Sequence, residues 1–179
     1  MSQSFAPVTE KFYLKSLDDG TTVKAQYNPK ELQIDRTVPW GPPAETGKAN
    51  SNAKDQKAKK SGGVNLEFTG AKGRSLTVEL LFDAVEGTGG PYGVNLAEQV
   101  GALEHLAQVR KPNSAKEDDR RPHWCVATWG TALQGFRCVI ESVSTKYTMF
   151  NEKGEPLRAT CTVKLTEADS VSTAKEKKA

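Results

Sequence analysis

Residues 144–165 read STKYTMFNEKGEPLRATCTVKL, and this stretch predicts two strands joined by a turn. In its second half apolar and polar side chains alternate, as they do in a half-buried strand; the apolar positions are Cys161, Val163 and Leu165. Between the halves, Asn151 and Gly154 can adopt positive φ angles, and Pro156 prevents the second strand from starting earlier. The stretch therefore predicts an antiparallel hairpin, with Cys161 as a small core residue.

The strand that precedes this turn changes its apolar phase along its length. Before the change one face carries Cys138 and Ile140; after it the other face carries Val143, Tyr147 and Met149. One extra residue in the ladder restores the phase of an antiparallel pair. We therefore expect a β-bulge or a sharp coil near Ser142.

The rest of the chain is also dominated by strand patterns. RSLTVELLFDA at 74–84 alternates cleanly, and shorter candidate strands lie at 11–17, 22–28, 32–38, 64–69 and 123–129. One amphipathic helix is predicted from an N-cap at Asn95, with Arg110 and Lys111 near its C-terminal end and Pro112 as its stop. The expected fold is mainly β, within the α+β class: two packed antiparallel sheets forming a barrel or sandwich, with one flanking helix.

The length of 179 residues suits one domain, which we place at 1–169, followed by a polar tail at 170–179. Residues 41–63 have almost nothing to bury and predict a flexible loop in the free monomer. This loop is rich in lysine: Lys48, Lys54, Lys57, Lys59 and Lys60.

The net charge of +3 is small for a dedicated nucleic-acid binder. The chain shows neither a signal peptide nor an apolar run of membrane-spanning length, so we expect a cytosolic protein without membrane insertion. Three cysteines without a C-x-x-C pair fit free thiols.

No catalytic, cofactor or metal site is predicted. The glycine-rich residues 82–96 miss the spacing of phosphate-binding loops, and a zinc site built from His123, Cys125, Cys138 and Cys161 is less favoured than core thiols because local ligand pairs are missing. His105 is expected on the solvated face of the helix. The lysine-rich loop holds no aromatic residue for base stacking, so nucleic-acid binding is disfavoured. Trp40, Trp124 and Trp129 are expected as anchors in the core or in a subunit interface.

Four stretches, taken in order, resemble the tube-type proteins of contractile injection systems, which are phage-tail-like particles. They are YNPKELQIDRTVPW at 27–40, LTVELLFDA at 76–84, PHWCVATWG at 122–130 and FRCVIESVSTKYTMFNEKGEPLRATCTVKLTE at 136–167. The resemblance points to the baseplate tube-initiator, or tube-adaptor, branch. Many initiators carry a C-terminal LysM module, and this chain leaves no room for one, so the main inner-tube protein stays open as an alternative.

This resemblance implies a structural subunit that forms a hexameric ring between the spike hub and the inner tube and templates tube assembly. The polar face of the hairpin is then expected to line the channel or a neighbouring copy; it carries Ser144, Lys146, Thr160, Thr162 and Lys164. The resemblance also implies that the 41–63 loop reaches a neighbouring subunit or the next ring and becomes ordered on assembly. Further expected partners are baseplate and sheath components. From a different class of function, a nucleic-acid-binding module with a basic loop is the remaining alternative.

Overall fold

The computed structural model describes residues 10–42, 66–70, 72–85 and 95–171. The strands are β1 (Tyr13–Ser16), β2 (Thr22–Lys24), β3 (Leu32–Asp35), β4 (Trp40–Gly41), β5 (Glu67–Phe68), β6 (Ser75–Asp83), β7 (Trp124–Trp129), β8 (Leu133–Phe150) and β9 (Pro156–Glu167). One α-helix, α1 (Leu96–Ala107), and a short 3₁₀ turn at Glu117–Asp119 complete the described elements. The described part of Arg36–Lys72 forms one compact unit, and the other described residues form a second.

Seven strands form one antiparallel sheet in the order β2-β1-β7-β8-β9-β6-β3, and β4 pairs with β5 in a separate two-stranded sheet. The expected mainly β fold with one helix is confirmed. The two-layer barrel or sandwich needs a refinement, because the seven strands are joined into a single sheet that is not closed among the described residues.

The length of β8 explains why one sheet forms. Its first part, up to Val139, pairs with β7, and its residues from Cys138 to Phe150 pair with β9. A strand of 18 residues can therefore hold both halves of the sheet together, with β7, β1 and β2 on one side and β9, β6 and β3 on the other.

The predicted bulge is confirmed. The register runs from Ile140 opposite Leu165 to Ser142 opposite Lys164, so Glu141 is the extra residue. The bulge reverses the alternation of β8, and Val143 then faces Val163 on the buried side of the sheet. The apolar phase change in the sequence thus has the physical cause expected for it.

The core of the larger unit lies between the inner face of the seven-stranded sheet and α1. The helix contributes four fully or nearly fully buried side chains: Leu96, Val100, Leu103 and Leu106. Asn95 caps the helix as predicted, since its side chain accepts a hydrogen bond from the backbone N–H of Glu98 at 3.3 Å.

The predicted end of the helix is wrong. It ends at Ala107, with Gln108 as its C-cap, so Pro112 is not the stop. Arg110 lies beyond the last turn and instead binds Asp18, at 3.2 Å from its Nη1 to a carboxylate oxygen. Arg110, one of the basic residues that suggested a longer helix, therefore serves a tertiary contact.

Three short strands are also shorter than predicted. The candidates at 22–28, 32–38 and 11–17 reduce to β2, β3 and β1; of the candidate at 64–69 the structure describes only 66–69, where β5 is Glu67–Phe68. In the first case Gln26 leaves the ladder to bind the backbone of β6, donating to the carbonyl of Asp83 at 2.9 Å and accepting from its N–H at 2.7 Å.

Candidate functional site

The structure brings all five predicted hairpin residues onto one face of β8 and β9. Ser144 lies opposite Thr162, Lys146 opposite Thr160, and Ser142 opposite Lys164. Ser144, Lys146 and Thr162 are exposed, whereas Thr160 and Lys164 are half-buried. Because inward residues such as Val143 alternate with them, this polar outer face is a continuous surface of hydroxyl and ammonium groups.

Glu141 is a member of this face that sequence reasoning missed. Its carboxylate accepts a hydrogen bond from Lys164 Nζ at 2.8 Å and another from Thr166 Oγ1 at 2.8 Å. The hydrogen bond from Lys164 and, to a smaller extent, that from Thr166 lower the pKa of Glu141. The bulge is what turns Glu141 toward these two partners, so the only sequence signal was the phase change itself.

The turn between the strands is built differently from the prediction. Gly154 has a φ of +80°, as expected, but Asn151 is not among the residues with positive φ. Asn151 instead acts through its side chain, whose Oδ1 accepts hydrogen bonds from the backbone N–H groups of Lys153 and Glu155, both at 2.9 Å. Pro156 is the first residue of β9 and lies opposite Phe150.

The outer half of β8 has an open edge. Pairing with β7 stops at Val139, so within the described ranges residues 141–150 have β9 as their only strand partner. Near the tip of the hairpin several large apolar side chains are exposed by 43–58%: Tyr147, Met149 and Phe150. A row of unpaired backbone groups flanked by exposed apolar side chains can accept a further strand.

The two-stranded unit carries an aromatic pair at the base of the lysine-rich loop. Trp40 lies opposite Phe68, their ring centroids are 5.7 Å apart, and both side chains are at least half exposed. Trp40 is therefore not a core residue, which leaves the interface alternative for it. The five loop lysines, Lys48, Lys54, Lys57, Lys59 and Lys60, lie outside the described residues.

The other two tryptophans are partly buried against the larger sheet. Trp124 donates from its indole Nε1 to the backbone carbonyl of Ala168 at 3.2 Å, with the guanidinium of Arg137 over its ring. Trp129 packs against the hydrophobic core. The position of Trp129 agrees with the expected anchoring role in the core, whereas Trp124 is not among the residues that pack against that core.

All three cysteines are buried free thiols, which confirms the core assignment of Cys161. Burial raises the pKa of Cys125 and of Cys138 to about 12. At neutral pH these two groups are therefore protonated thiols. Among the described residues, the cysteines do not belong to a group of three or more side chains close enough to share a metal ion.

Two predicted segments are only partly covered by the structure. The glycines of the 82–96 segment and most of the 170–179 tail lie outside the described residues. Among the described helices, none combines the length and apolar character needed to cross a membrane.

Residues 9–176 match the family model described as contractile injection system tube protein. The open-edged, mainly β subunit is therefore a structural tube protein of a phage-tail-like particle. The chain belongs to the contractile injection system tube protein family. A comparison with curated proteins gave no match.

Proposed function

We propose that this tube protein closes into a ring of six copies that links the spike hub to the inner tube and templates the first tube layer. The observation that carries the proposal is the open edge of β8 over residues 141–150, next to the polar outer face of the hairpin. A tube subunit must satisfy such an edge, and pairing it with the next copy in a closed ring does so without leaving a free end.

Pairing along the open edge of β8 can stabilise an interface between two copies by several hydrogen bonds at once. About half of the backbone groups in residues 141–150 point away from β9, because N–H groups of successive strand residues alternate between the two edges. Each backbone hydrogen bond contributes about 1 kcal/mol net, so a paired edge supplies several kcal/mol per interface. The exposed Tyr147, Met149 and Phe150 add apolar area at the same place.

The polar outer face then takes one of two positions, facing the channel or facing a neighbouring copy. Hydroxyl groups of Ser144, Thr160 and Thr162 offer cargo no apolar surface to adhere to. Lys146 and Lys164 add positive charge, of which Lys164 is paired with Glu141. The lining of the channel is the position we propose.

The lysine-rich 41–63 loop is proposed to reach a neighbouring subunit or the next ring, with Trp40 and Phe68 at its base as aromatic anchors. Exposed aromatic pairs of this kind are typical of interface hot spots. Limited proteolysis tests the idea: cleavage within 41–63 should be fast in the free chain and at least tenfold slower in the assembled particle. Equal cleavage rates in the two states contradict it.

We propose that residues 1–169 act as one tube-type module in this ring, that assembly takes place in the cytoplasm, and that the role involves no catalysis. Other proposed contacts are with the baseplate and sheath. These statements rest on the family membership and on the absence of a predicted catalytic cluster in the sequence.

The proposal is tested by the oligomeric state of the purified chain and by its copy number in intact particles. Native mass spectrometry and negative-stain images should show six-copy rings, and each particle should contain one ring's worth of the chain. A copy number that grows with tube length would assign the chain to the main inner tube instead. A monomer at high concentration that is also missing from particles rejects both, and steeply salt-dependent binding to DNA would then favour the nucleic-acid alternative.

A further inference from the structure

Two histidines and an aspartate converge at one end of α1, away from the hairpin. Asp19 lies in the turn between β1 and β2, His105 lies in the last turn of the helix, and His123 immediately precedes β7. One possible ligand atom from each of the three lies within 4.8 Å of the others. Sequence reasoning placed His105 in solvent and considered His123 only with cysteines, because the three residues are far apart in the chain.

The spacing of these atoms is close to what a tetrahedral metal requires. His105 Nε2 lies 3.1 Å from one carboxylate oxygen of Asp19, and His123 Nδ1 lies 3.7 Å from the other. Ligands about 2.0–2.1 Å from a tetrahedral zinc ion are about 3.3 Å from one another. Because these two contacts use different oxygens of Asp19, and the three ligand atoms are up to 4.8 Å apart, the side chains must rotate to converge on one ion.

The position of Asp19 is held by its own turn. The backbone N–H of Thr21 donates to its Oδ1 at 2.9 Å, and Ser16 Oγ accepts from the N–H groups of Asp18 and Asp19 at 3.1 and 3.2 Å. The nearby Arg110 and Arg121 bind Asp18 rather than Asp19. The Asp19 carboxylate is thus oriented toward the histidines by hydrogen bonds of the kind that fix metal ligands.

His123 presents the nitrogen that a metal needs. Its side chain is almost fully buried, and its Nδ1 lies 2.9 Å from Ser16 Oγ. Because that oxygen already accepts two backbone N–H groups, it has its own hydrogen to donate, and Nδ1 is then the acceptor. This lone pair is the one that a metal ion at Nδ1 would take, so metal binding breaks the hydrogen bond with Ser16.

Two of the three side chains are accessible to solvent, and the third is buried. His105 and Asp19 are 51% and 37% exposed, so an ion can enter from solvent, whereas His123 closes the site from inside. The ring centroids of the two histidines are 4.7 Å apart, so the two imidazoles are neighbours. Water completes the coordination on the open side, as in zinc sites with three protein ligands.

We propose that Asp19, His105 and His123 form a binding site for one divalent transition-metal ion of the zinc type. Two imidazole nitrogens and one carboxylate oxygen are a ligand set suited to zinc rather than to calcium or magnesium. The bound ion ties the β1–β2 turn, the end of α1 and the start of β7 together. Its role is to stabilise the fold of the tube subunit, independently of the ring proposal.

The test is a titration of the full-length, untagged chain with Zn²⁺ by calorimetry, followed by thermal unfolding. We expect one ion per chain at micromolar affinity or tighter. At a hundredfold excess over the dissociation constant the midpoint of unfolding should rise by about 5–10 °C. Co²⁺ in place of Zn²⁺ should give a visible absorption band without the sulfur charge-transfer bands of thiolate ligation.

Two variants and one control separate this site from accidental binding. His105→Ala removes an exposed ligand, and Asp19→Asn removes a charge at nearly constant shape; each should weaken Zn²⁺ binding at least about tenfold and abolish the thermal shift. Glu98→Gln, an exposed carboxylate at the other end of the same helix, should bind as the natural chain does. Metal-free unfolding of each variant checks that its fold is intact. Absence of stoichiometric binding, unchanged binding in both ligand variants, or thiolate bands with Co²⁺ would overturn the proposal.

Discussion

Asp18 is the shared partner of two arginines in the larger unit. Its carboxylate receives two hydrogen bonds from Arg121 at 3.0 Å, an ion pair from Arg110 at 3.2 Å and the backbone N–H of Trp124 at 2.8 Å. The three charged side chains are only 12–16% exposed. One carboxylate thus connects the β1–β2 turn, the segment after α1 and the start of β7.

Asp18→Asn should destabilise the fold by about 3 kcal/mol at pH 7, because it leaves two largely buried arginines without their counter-charge. Chemical denaturation of the variant and the natural chain measures the difference. Asp169→Asn, at an exposed position near the end of the described chain, is the control and should change stability by less than about 0.5 kcal/mol. A loss as small as that of the control would show that the cluster does not stabilise the fold.

The contribution of Asp18 to the stability of the fold depends on pH. Burial by itself raises the pKa of Asp18, but the hydrogen bonds from Arg121 and Trp124 and the charges of both arginines outweigh it and hold the pKa below its ordinary value of 3.8. A carboxyl group with a depressed folded-state pKa stabilises above its unfolded value and loses that contribution as pH falls through the folded value. The stability difference between Asp18→Asn and the natural chain should therefore be full at pH 5–7 and shrink below about pH 4.

Two glycines form a matched pair for a second prediction. Gly154 has a φ of +80° in the hairpin turn, and Gly101 lies inside α1 with open space where a Cβ would stand. Gly154→Ala should destabilise by about 1 kcal/mol, because L-residues rarely adopt that conformation, whereas Gly101→Ala should stabilise by about 0.5–1 kcal/mol. Thermal unfolding of the two variants measures both effects; shifts of the same sign would contradict the assignment of the turn.

At the scale of elements, the bulge in β8 decides which face of the hairpin is buried. Deleting Glu141 should leave a regular ladder, because Ile140 stays opposite Leu165 and Val143 stays opposite Val163, both still facing the core. We expect unfolding to stay cooperative and the loss of stability to be no more than about 1 kcal/mol, as measured by denaturant titration. Glu141→Ala keeps the chain length and breaks only exposed contacts with Lys164 and Thr166, so it should cost less than about 1 kcal/mol. A deletion that costs several kcal/mol more than Glu141→Ala would mean that the fold needs the bulge itself.

Local patterns in the sequence were sufficient for some elements. Period-two alternation predicted β6 and β9, a phase change predicted the bulge, and Asn95 ahead of the amphipathic stretch predicted the N-cap of α1. Each of these signals acts between residues close in the chain. The shared polar face of the hairpin followed for the same reason, since both strands and their turn are contiguous.

The features that could not be predicted depend on contacts distant in sequence. Arg110 was interpreted as a helix-end residue because its partner Asp18 is about ninety positions away. The cluster of Asp19 with two histidines forms only when a turn, a helix end and a strand start meet. The single sheet arises because one strand is long enough to pair on both sides, and the alternation pattern carries no information about which partners it meets.

At the scale of the whole molecule, the ring proposal can be tested with neighbouring proline substitutions on β8. Lys146 and Tyr147 are both exposed, so either can be changed with little loss of packing. Successive strand residues direct their N–H groups to opposite edges, so one substitution removes a hydrogen bond to β9 and the other removes a donor from the open edge.

We expect one of Lys146→Pro and Tyr147→Pro to lower the stability of the monomer, and the other to leave it nearly unchanged while abolishing rings. Denaturation curves and negative-stain images together identify which is which. If the variant that keeps its monomer stability still forms rings like the natural chain, the open edge of β8 is not the joint between copies.

The three buried thiols can report how often the sheet of this protein opens. Cys125 faces Cys138 across the β7–β8 pair, Cys161 lies on β9, and none of the three has measurable solvent contact. A thiol-reactive dye can therefore label only those copies whose sheet has opened, and the labelling rate in native buffer reports how often that happens. If assembly stabilises the folded subunit, labelling should be slower in the particle than in the free chain. The ratio of the two labelling rates then measures how much assembly suppresses opening of the sheet.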